Sequence, residues 1–123
     1  MKFLCLAYGD ERKFDAMSSV ELDAISTQCR KLDDVLRDSG HLVAMGALQP
    51  ARAAATVRTR KGKVAATDGP FAETKEQVGG FFIIEARDLE QALEVVSNTA
   101  PARLGEHLGW GVEVRPILEF EQK

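Results

Sequence analysis

The first apolar run of the chain has the period of a strand. Within residues 2–8, Phe3 and Cys5 point to one face and Leu4 points to the other, and all three are apolar. A strand that is apolar on both faces is typical of the centre of a sheet, where both sides are covered. Residues 9–13 interrupt the run with glycine and charges and are predicted to form a loop.

The next segment has the period of an amphipathic helix. Ser18 precedes Glu21 by three positions, which is the spacing of a capping box at a helix start. Apolar residues then recur at steps of three and four and form one continuous face, at Leu22, Ile25, Cys29, Leu32 and Leu36. Gly40 is suited to the left-handed position that follows a helix. The pattern therefore predicts a long helix over 18–39.

The rest of the chain predicts five more strands and a second helix. The helix begins after Asp88, which precedes Gln91 by three positions, and residues 103–110 are predicted to be a surface excursion. Pro116 in the last strand indicates an edge position because proline donates no ladder hydrogen bond. In chain order, the additional strands are predicted at 41–49, 54–60, 64–67, 80–86 and 111–119.

This order of elements predicts an α+β fold in a single domain, residues 1–123. It corresponds to the ferredoxin-like β-α-β-β-α-β plan with an extra hairpin inserted between the second and third strands of that plan. A chain of 123 residues is long enough for one hydrophobic core.

Composition narrows the classes of partner and compartment. The net charge of −3 argues against a nucleic-acid or anionic-membrane surface, since both need a basic face. No apolar run is long enough to span a bilayer, and the N-terminus does not read as a secretory signal. A cytoplasmic location is therefore expected. Cys5 and Cys29 have no metal-ligand spacing and are expected to be buried, reduced thiols. No metal and no cofactor are expected.

The strands also predict a homodimer. The predicted helices cover one face of the sheet, yet strands 2–8, 41–49 and 81–86 carry apolar residues on both faces. An uncovered apolar face of several hundred Å² is unusual on a monomer. A second copy stacked face to face, in a two-fold symmetric pair, would cover it.

The most distinctive segment runs from Asp68 to Phe81, DGPFAETKEQVGGF. Its Asp-Gly-Pro start predicts a turn, and Phe71 is expected to anchor the loop in the core. Glu73 and Lys75 are expected within one helical turn, together with a hydroxyl and a second carboxylate. Such a rigid polar loop could form the lip of a ligand site or serve as a structural loop whose charges pair with one another or with a partner subunit.

This segment resembles the signature of the YCII-related superfamily, in its DGPF branch. The closing VEVRPI at 112–117, the early strand, the long helix that ends near Gly40 and the stretch GALQP at 46–50 fit the same pattern. The resemblance extends over nearly the whole chain.

The resemblance implies a dimeric α/β barrel and a function that is poorly defined. Many DGPF-type members are associated with extracytoplasmic-function sigma factors, which implies such an association here. More distant relatives have been proposed as enzymes that use a His–Asp pair, and at least one acts in the breakdown of a chlorinated aromatic. Asp68 stands in the motif, and neither His41 nor His107 is aligned with the histidine of that pair.

Four further residues are candidates on chemical grounds. His41 could act as a general base at the sheet edge or be a polar residue at a strand end. Arg115 could bind an anion or pair with Asp68 or Glu73. Tyr8 could face a cavity mouth or pack half-buried, and Trp110 could stack on a ligand or pack.

Two functions follow as hypotheses. The first is a small dimeric module that binds a small polar ligand between helices and sheet, or regulates a sigma-factor system. The second is a cofactor-free enzyme acting on a small organic acid or aromatic. In that enzyme Asp68 would transfer the proton, His41 would assist, and Lys75 or Arg115 would hold an anionic group.

Overall fold

The main sheet contains four strands in the order β2-β5-β1-β6, and all neighbours are antiparallel. The computed structural model describes residues 1–123. Its strands are β1 (Lys2–Gly9), β2 (Leu42–Ala47), β3 (Ala55–Arg60), β4 (Lys63–Asp68), β5 (Gln77–Glu85) and β6 (Gly111–Pro116). Its helices are α1 (Glu11–Asp15), α2 (Ser19–Asp38), α3 (Leu89–Val96) and α4 (Ala100–Arg103). Single 3-10 turns lie at Ala51–Ala53 and Glu106–Leu108.

This topology confirms the ferredoxin-like α+β plan. The units β1-α2-β2 and β5-α3-β6 interleave, so that β1 and β5 are central, and the β3–β4 hairpin is the inserted pair. The predicted edge position of Pro116 is also confirmed, because β6 is an outer strand. No helix combines the length and the apolar character needed to cross a bilayer.

Helix α2 begins and ends where its sequence predicts. The Ser18 hydroxyl accepts a hydrogen bond from the backbone N–H of Glu21, and the Glu21 carboxylate accepts one from the N–H of Ser18. This reciprocal cap satisfies two donors that have no partner inside the helix. Gly40 follows the helix with φ +81°, a conformation that glycine adopts without strain.

The core lies between one face of the sheet and helices α2 and α3. Phe3, Cys5 and Ile84 are fully buried there, in contact with Leu36 of α2 and Val96 of α3. Only 13 of the 123 residues are buried, which is a thin core for a chain of this length. Much of the apolar surface therefore remains partly accessible on the single chain.

The β3–β4 hairpin projects from this body as a separate two-stranded sheet. All six residues of β4 are exposed, and Val57 and Val64 are 65% and 74% exposed. These valines lie on one face of the hairpin, whereas Arg58 and Arg60 point to the other face. The hairpin is thus an amphipathic arm on the single chain.

Several local predictions are wrong. Residues 11–15 form α1 instead of a loop, because the Asp10 carboxylate caps the backbone N–H of Arg12. Residues 103–110 are not a surface excursion, since Leu108 is 2% exposed within the fold. Residues 73–76 form no helical turn, and only residues 75 and 76 are bends. Phe71 is 73% exposed and stacks under the Arg58 guanidinium, with 4.1 Å to the ring centroid, instead of anchoring the loop in the core.

Candidate functional site

A cleft of about 700 Å³ opens between α2 and the sheet. It lies toward the end of the sheet formed by the close of β1, the close of β2 and the start of β5. Helix α1, the start of α4 and Trp110 complete its walls. The position of the cleft follows from the side chains that the sheet presents to the helices.

The floor of the cleft is a row of small residues. In the strand register, Ala7 of β1 lies beside Gly80 of β5, which lies beside Ala47 of β2. The next row toward the core contains Cys5, Phe82 and Met45. Because no side chain in the first row extends beyond a methyl group, α2 stands above empty space there, whereas the Phe82 row fills the gap.

The roof of the cleft is one row of α2 at a spacing of four residues. Cys29, Asp33 and Arg37 line the cavity from this row, and all three lie one turn apart on the same helix face. Arg37 donates to the Asp34 carboxylate at 2.9 Å. Asp33 has no hydrogen-bond donor and no ion-pair partner, although it is only partly exposed.

The other carboxylates of the cleft are engaged. Asp10 is 2% exposed and accepts from the backbone N–H of Arg12 at 3.0 Å. Glu11 accepts from the backbone N–H of Ala51 at 2.8 and 3.2 Å, which ties α1 to the chain after β2. The Asp15 carboxylate lies 3.7 Å from Arg52. Asp33 is therefore the one cleft carboxylate without a partner.

The environments of Asp33 and Asp10 shift the pKa values of the two carboxyl groups in opposite directions. Burial raises the pKa of Asp33, the nearby Asp34 charge adds to this, and the Arg37 charge opposes it. Burial alone would raise the pKa of Asp10 as well, but hydrogen bonds from backbone N–H groups and the charges of Arg12 and Lys13 together lower it. Asp10 is thus stabilised as an anion in the folded chain and Asp33 is not.

Neither thiol is activated. Burial raises the pKa of Cys5 to about 12, and burial with the Asp33 charge raises the pKa of Cys29. A thiol reacts as its thiolate, so both cysteines are poor nucleophiles near neutral pH. No group of three His, Cys, Asp or Glu side chains is arranged to hold a metal.

Trp110 forms one wall of the cleft and is held by glycines. A Cβ at Gly9 would lie 2.7 Å from the indole Cδ1, and a Cβ at Gly105 would lie 2.4 Å from Cδ2. Gly105 also has φ +72°, where a side chain would be strained. Close packing against backbone fixes the indole, so the ring presents a rigid apolar surface to the cavity.

Tyr8 is among the residues that line the cleft at the end of β1, and its hydroxyl forms a polar contact with β6. Its hydroxyl donates to the Glu113 carboxylate at 3.2 Å. Partial desolvation and the Glu113 carboxylate raise the pKa of the Tyr8 hydroxyl, against the opposing charge of Arg115. Arg115 lies beside Leu4 in the register and forms no ion pair with Asp68 or Glu73. Of the candidate residues from the sequence, Tyr8 and Trp110 line the cleft, and the others do not: His41, Asp68, Glu73, Lys75 and Arg115.

The DGPF loop is fastened to the hairpin and to itself. The backbone N–H of Gly69 donates to the Ala54 carbonyl at 2.7 Å, and the Thr56 hydroxyl donates to the Gly69 carbonyl at 2.9 Å. The Thr74 hydroxyl donates to the Glu76 carbonyl at 2.6 Å. The side chains of Asp68, Glu73 and Lys75 are exposed and form no ion pairs; none of the three lines the cleft.

His41 and the DGPF loop lie at opposite ends of β5. The His41 ring nitrogen Nδ1 lies 2.8 Å from the Glu85 carbonyl at the end of that strand, whereas the loop leads into its start at Gln77. At roughly 3.3 Å per residue, the nine residues of β5 span roughly 26 Å. The fold therefore does not bring Asp68 and His41 together as an acid–base pair.

Asp33 was not identified from the sequence, although a signal for it existed. It lies four residues after Cys29 and eight after Ile25, on the apolar stripe of the predicted helix. A carboxylate on such a stripe is unusual, because aspartate is rarely buried without a partner. The small-residue row had no such signal, since its members come from three strands.

The fold and cleft define a ferredoxin-like α+β domain with a cavity between its layers. The model of the YCII-related domain matches residues 1–121, so the chain belongs to the YCII-related family. An uncharacterized protein of Rhizobium meliloti (strain 1021) is 35% identical over 124 residues, which cover 98% of this chain and 95% of the relative. The resemblance noted in the sequence is thereby confirmed at the level of this family.

The unpartnered state of Asp33 predicts that Asp33→Asn raises the stability of the protein at neutral pH. Because the pKa of Asp33 is raised in the folded state, the folded chain holds this proton more tightly than the unfolded chain. Wild-type stability therefore falls as the pH rises from the ordinary value of 3.8 through the raised folded pKa, and an asparagine avoids that loss. Urea unfolding at several pH values measures the difference, which should shrink toward acid pH.

Asp23→Asn is the matched control, because Asp23 is exposed on the same helix and does not line the cleft. It should change the free energy of unfolding by less than about 0.5 kcal/mol. A loss of stability in Asp33→Asn at neutral pH would mean that the carboxylate makes a stabilising contact.

Proposed function

We propose that this protein is a homodimeric ligand-binding module of the YCII-related family, whose site is the cleft between α2 and the sheet. The observation that carries the proposal is the cavity itself. Its volume of about 700 Å³ falls within the range of about 300–1,000 Å³ that is typical of small-molecule sites. Its lining combines apolar and aromatic walls with a few polar groups, as such sites usually do.

The cleft groups are arranged for binding more than for turnover. The carboxylates of Asp10 and Glu11 accept hydrogen bonds from backbone N–H groups and position α1, so their role is structural. Cys29 has a raised pKa, which disfavours the nucleophilic thiolate. We therefore assign the cleft a sensing or regulatory role for a small polar ligand.

Filling the cleft tests this assignment. Ala47→Phe places a ring over the small-residue floor, and we expect it to abolish the thermal stabilisation by any small polar molecule that stabilises the wild type. Ligand at a hundred times its Kd stabilises by about 2.7 kcal/mol, so the shift in Tm is readily measured. The measurement is a thermal-shift screen of small acids, amines, phenols and nucleotides.

Ala66→Phe is the matched control, because Ala66 is exposed on the hairpin and does not line the cleft. It should retain the response of the wild type. Stabilisation that persists in Ala47→Phe would place the ligand elsewhere, and a screen with no response would count against a small-molecule site.

The homodimer is proposed because the sheet face opposite the helices carries an apolar centre. Leu4 and Leu6 of β1 lie beside Ile83 and Phe81 of β5 on that face. Glu113 and Arg115 lie along its margin on β6, opposite in charge and two residues apart. In a two-fold pair each could meet the opposite charge of the second copy, which makes this face self-complementary.

Ile83→Glu tests the dimer by placing a charge in the apolar centre of the face. Size-exclusion chromatography with light scattering should give twice the 13.5 kDa chain mass for wild type and the single-chain mass for the variant. Val64→Glu on the exposed hairpin is the control and should stay dimeric. A monomeric wild type at micromolar concentration would refute the face-to-face pair.

Association with an extracytoplasmic-function sigma factor is proposed from the resemblance of the DGPF segment alone. Affinity purification of the tagged full chain from its own cells, followed by mass spectrometry, is expected to recover such a sigma factor. A purification that yields none, alongside a positive result for a known interacting pair, would remove this part of the proposal.

A further inference from the structure

The charges that line the cleft indicate which ligands it favours. Four carboxylates face the cavity, from Asp10, Glu11, Asp15 and Asp33, whereas the single cationic side chain is that of Arg37. Arg37 is already paired with Asp34 at 2.9 Å. The side chains that line the cleft therefore carry a net negative charge, which favours a cationic ligand over an anionic one.

Asp33 is the carboxylate that is free to form an ion pair with a charged ligand. The other three carboxylates have partners in the chain, whereas Asp33 lines the same cavity with none. A carboxylate that is partly removed from water and unpaired is costly to retain. A cationic ligand group next to Asp33 would offset that cost by forming a charge-assisted hydrogen bond.

The walls suit the apolar body of such a ligand. Phe14, Phe82 and Trp110 line the cavity from α1, β5 and the segment before β6. The indole is fixed against Gly9 and Gly105, so it presents its surface without loss of side-chain freedom on binding. Aromatic rings also attract cations through their faces.

We propose that the cleft selects organic cations, namely amines that carry an apolar or aromatic body, and that Asp33 receives their charge. This inference rests on the proposed function of the cleft as a ligand site and names the class of its ligand. The ammonium group lies against α2 at Asp33, and the apolar body lies over the small-residue floor formed by Ala7, Gly80 and Ala47.

Three probes that share one phenylethyl body separate charge from shape. They are phenethylammonium, 2-phenylethanol and 3-phenylpropionate, which are cationic, neutral and anionic at pH 7. Trp110 is the only tryptophan of the chain and lines the cleft, so its fluorescence reports binding directly. We expect the cation to bind wild type about tenfold more tightly than the alcohol, and the anion more weakly than either.

In Asp33→Asn, the Kd of the amine should lie within about twofold of the Kd of the alcohol. The Kd of the alcohol itself should not change. Asp23→Asn, on the same helix outside the cleft, should retain the tenfold preference. Added salt should weaken the binding of the amine, and it should do so more strongly in proteins that contain Asp33 than in Asp33→Asn.

Two different failures can be distinguished. Equal binding of all three probes, or an amine preference that survives Asp33→Asn, would overturn the cation selectivity and leave the cleft as a ligand site. If none of the probes changes Trp110 fluorescence at millimolar concentration, the cation inference fails and the proposed ligand site loses its support as well.

Discussion

The register of β1 between β5 and β6 is the constraint on which the rest of the structure depends. With Phe3 opposite Ile84 and Cys5 opposite Phe82, the odd-numbered residues of β1 face the helices and the even-numbered ones face away. A slip of one residue would exchange the two faces and expose the core. The same register brings Ala7 beside Gly80. It therefore creates both the packed core at one end of the sheet and the open cleft at the other.

The contrast between these two ends explains how a thin core and a large cavity coexist. The core end contains fully buried side chains such as Phe3 and Ile84, which hold α2 and α3 to the sheet. At the other end the sheet offers only methyl groups and backbone, and α2 continues over the gap as a rigid span with a capped start. The cleft is thus bounded by regular secondary structure on two sides, with α2 above it and the sheet below.

Electrostatics assigns different tasks to acids that are close in the fold. Asp10 and Glu11 accept hydrogen bonds from backbone N–H groups and thereby shape the end of the cleft. Asp33 has no such partner and keeps its charge available to the cavity. The DGPF loop, which is the most conspicuous segment of the sequence, uses its hydrogen bonds to fasten the hairpin and leaves the side chain of Asp68 exposed.

The sequence by itself determined the features that depend on neighbours along the chain. The capping box of Ser18 and Glu21, the apolar stripe of α2, the alternation of β1 and the edge position of Pro116 are local patterns, and the structure agrees with each. The family was also readable, because the segment from Asp68 to Phe81 is long and specific. Local pattern failed at α1, where the side chain of Asp10 converts an expected loop into a helix turn.

Only the tertiary structure decided where the candidate site lies. The floor of the cleft joins residues 7, 47 and 80, which the chain separates by tens of positions and which strand pairing alone brings into one row. The length of β5 separates Asp68 from His41, although both are polar residues at strand ends. Asp33 gains its significance from the empty space beneath it, and that space exists because three strands place small residues side by side.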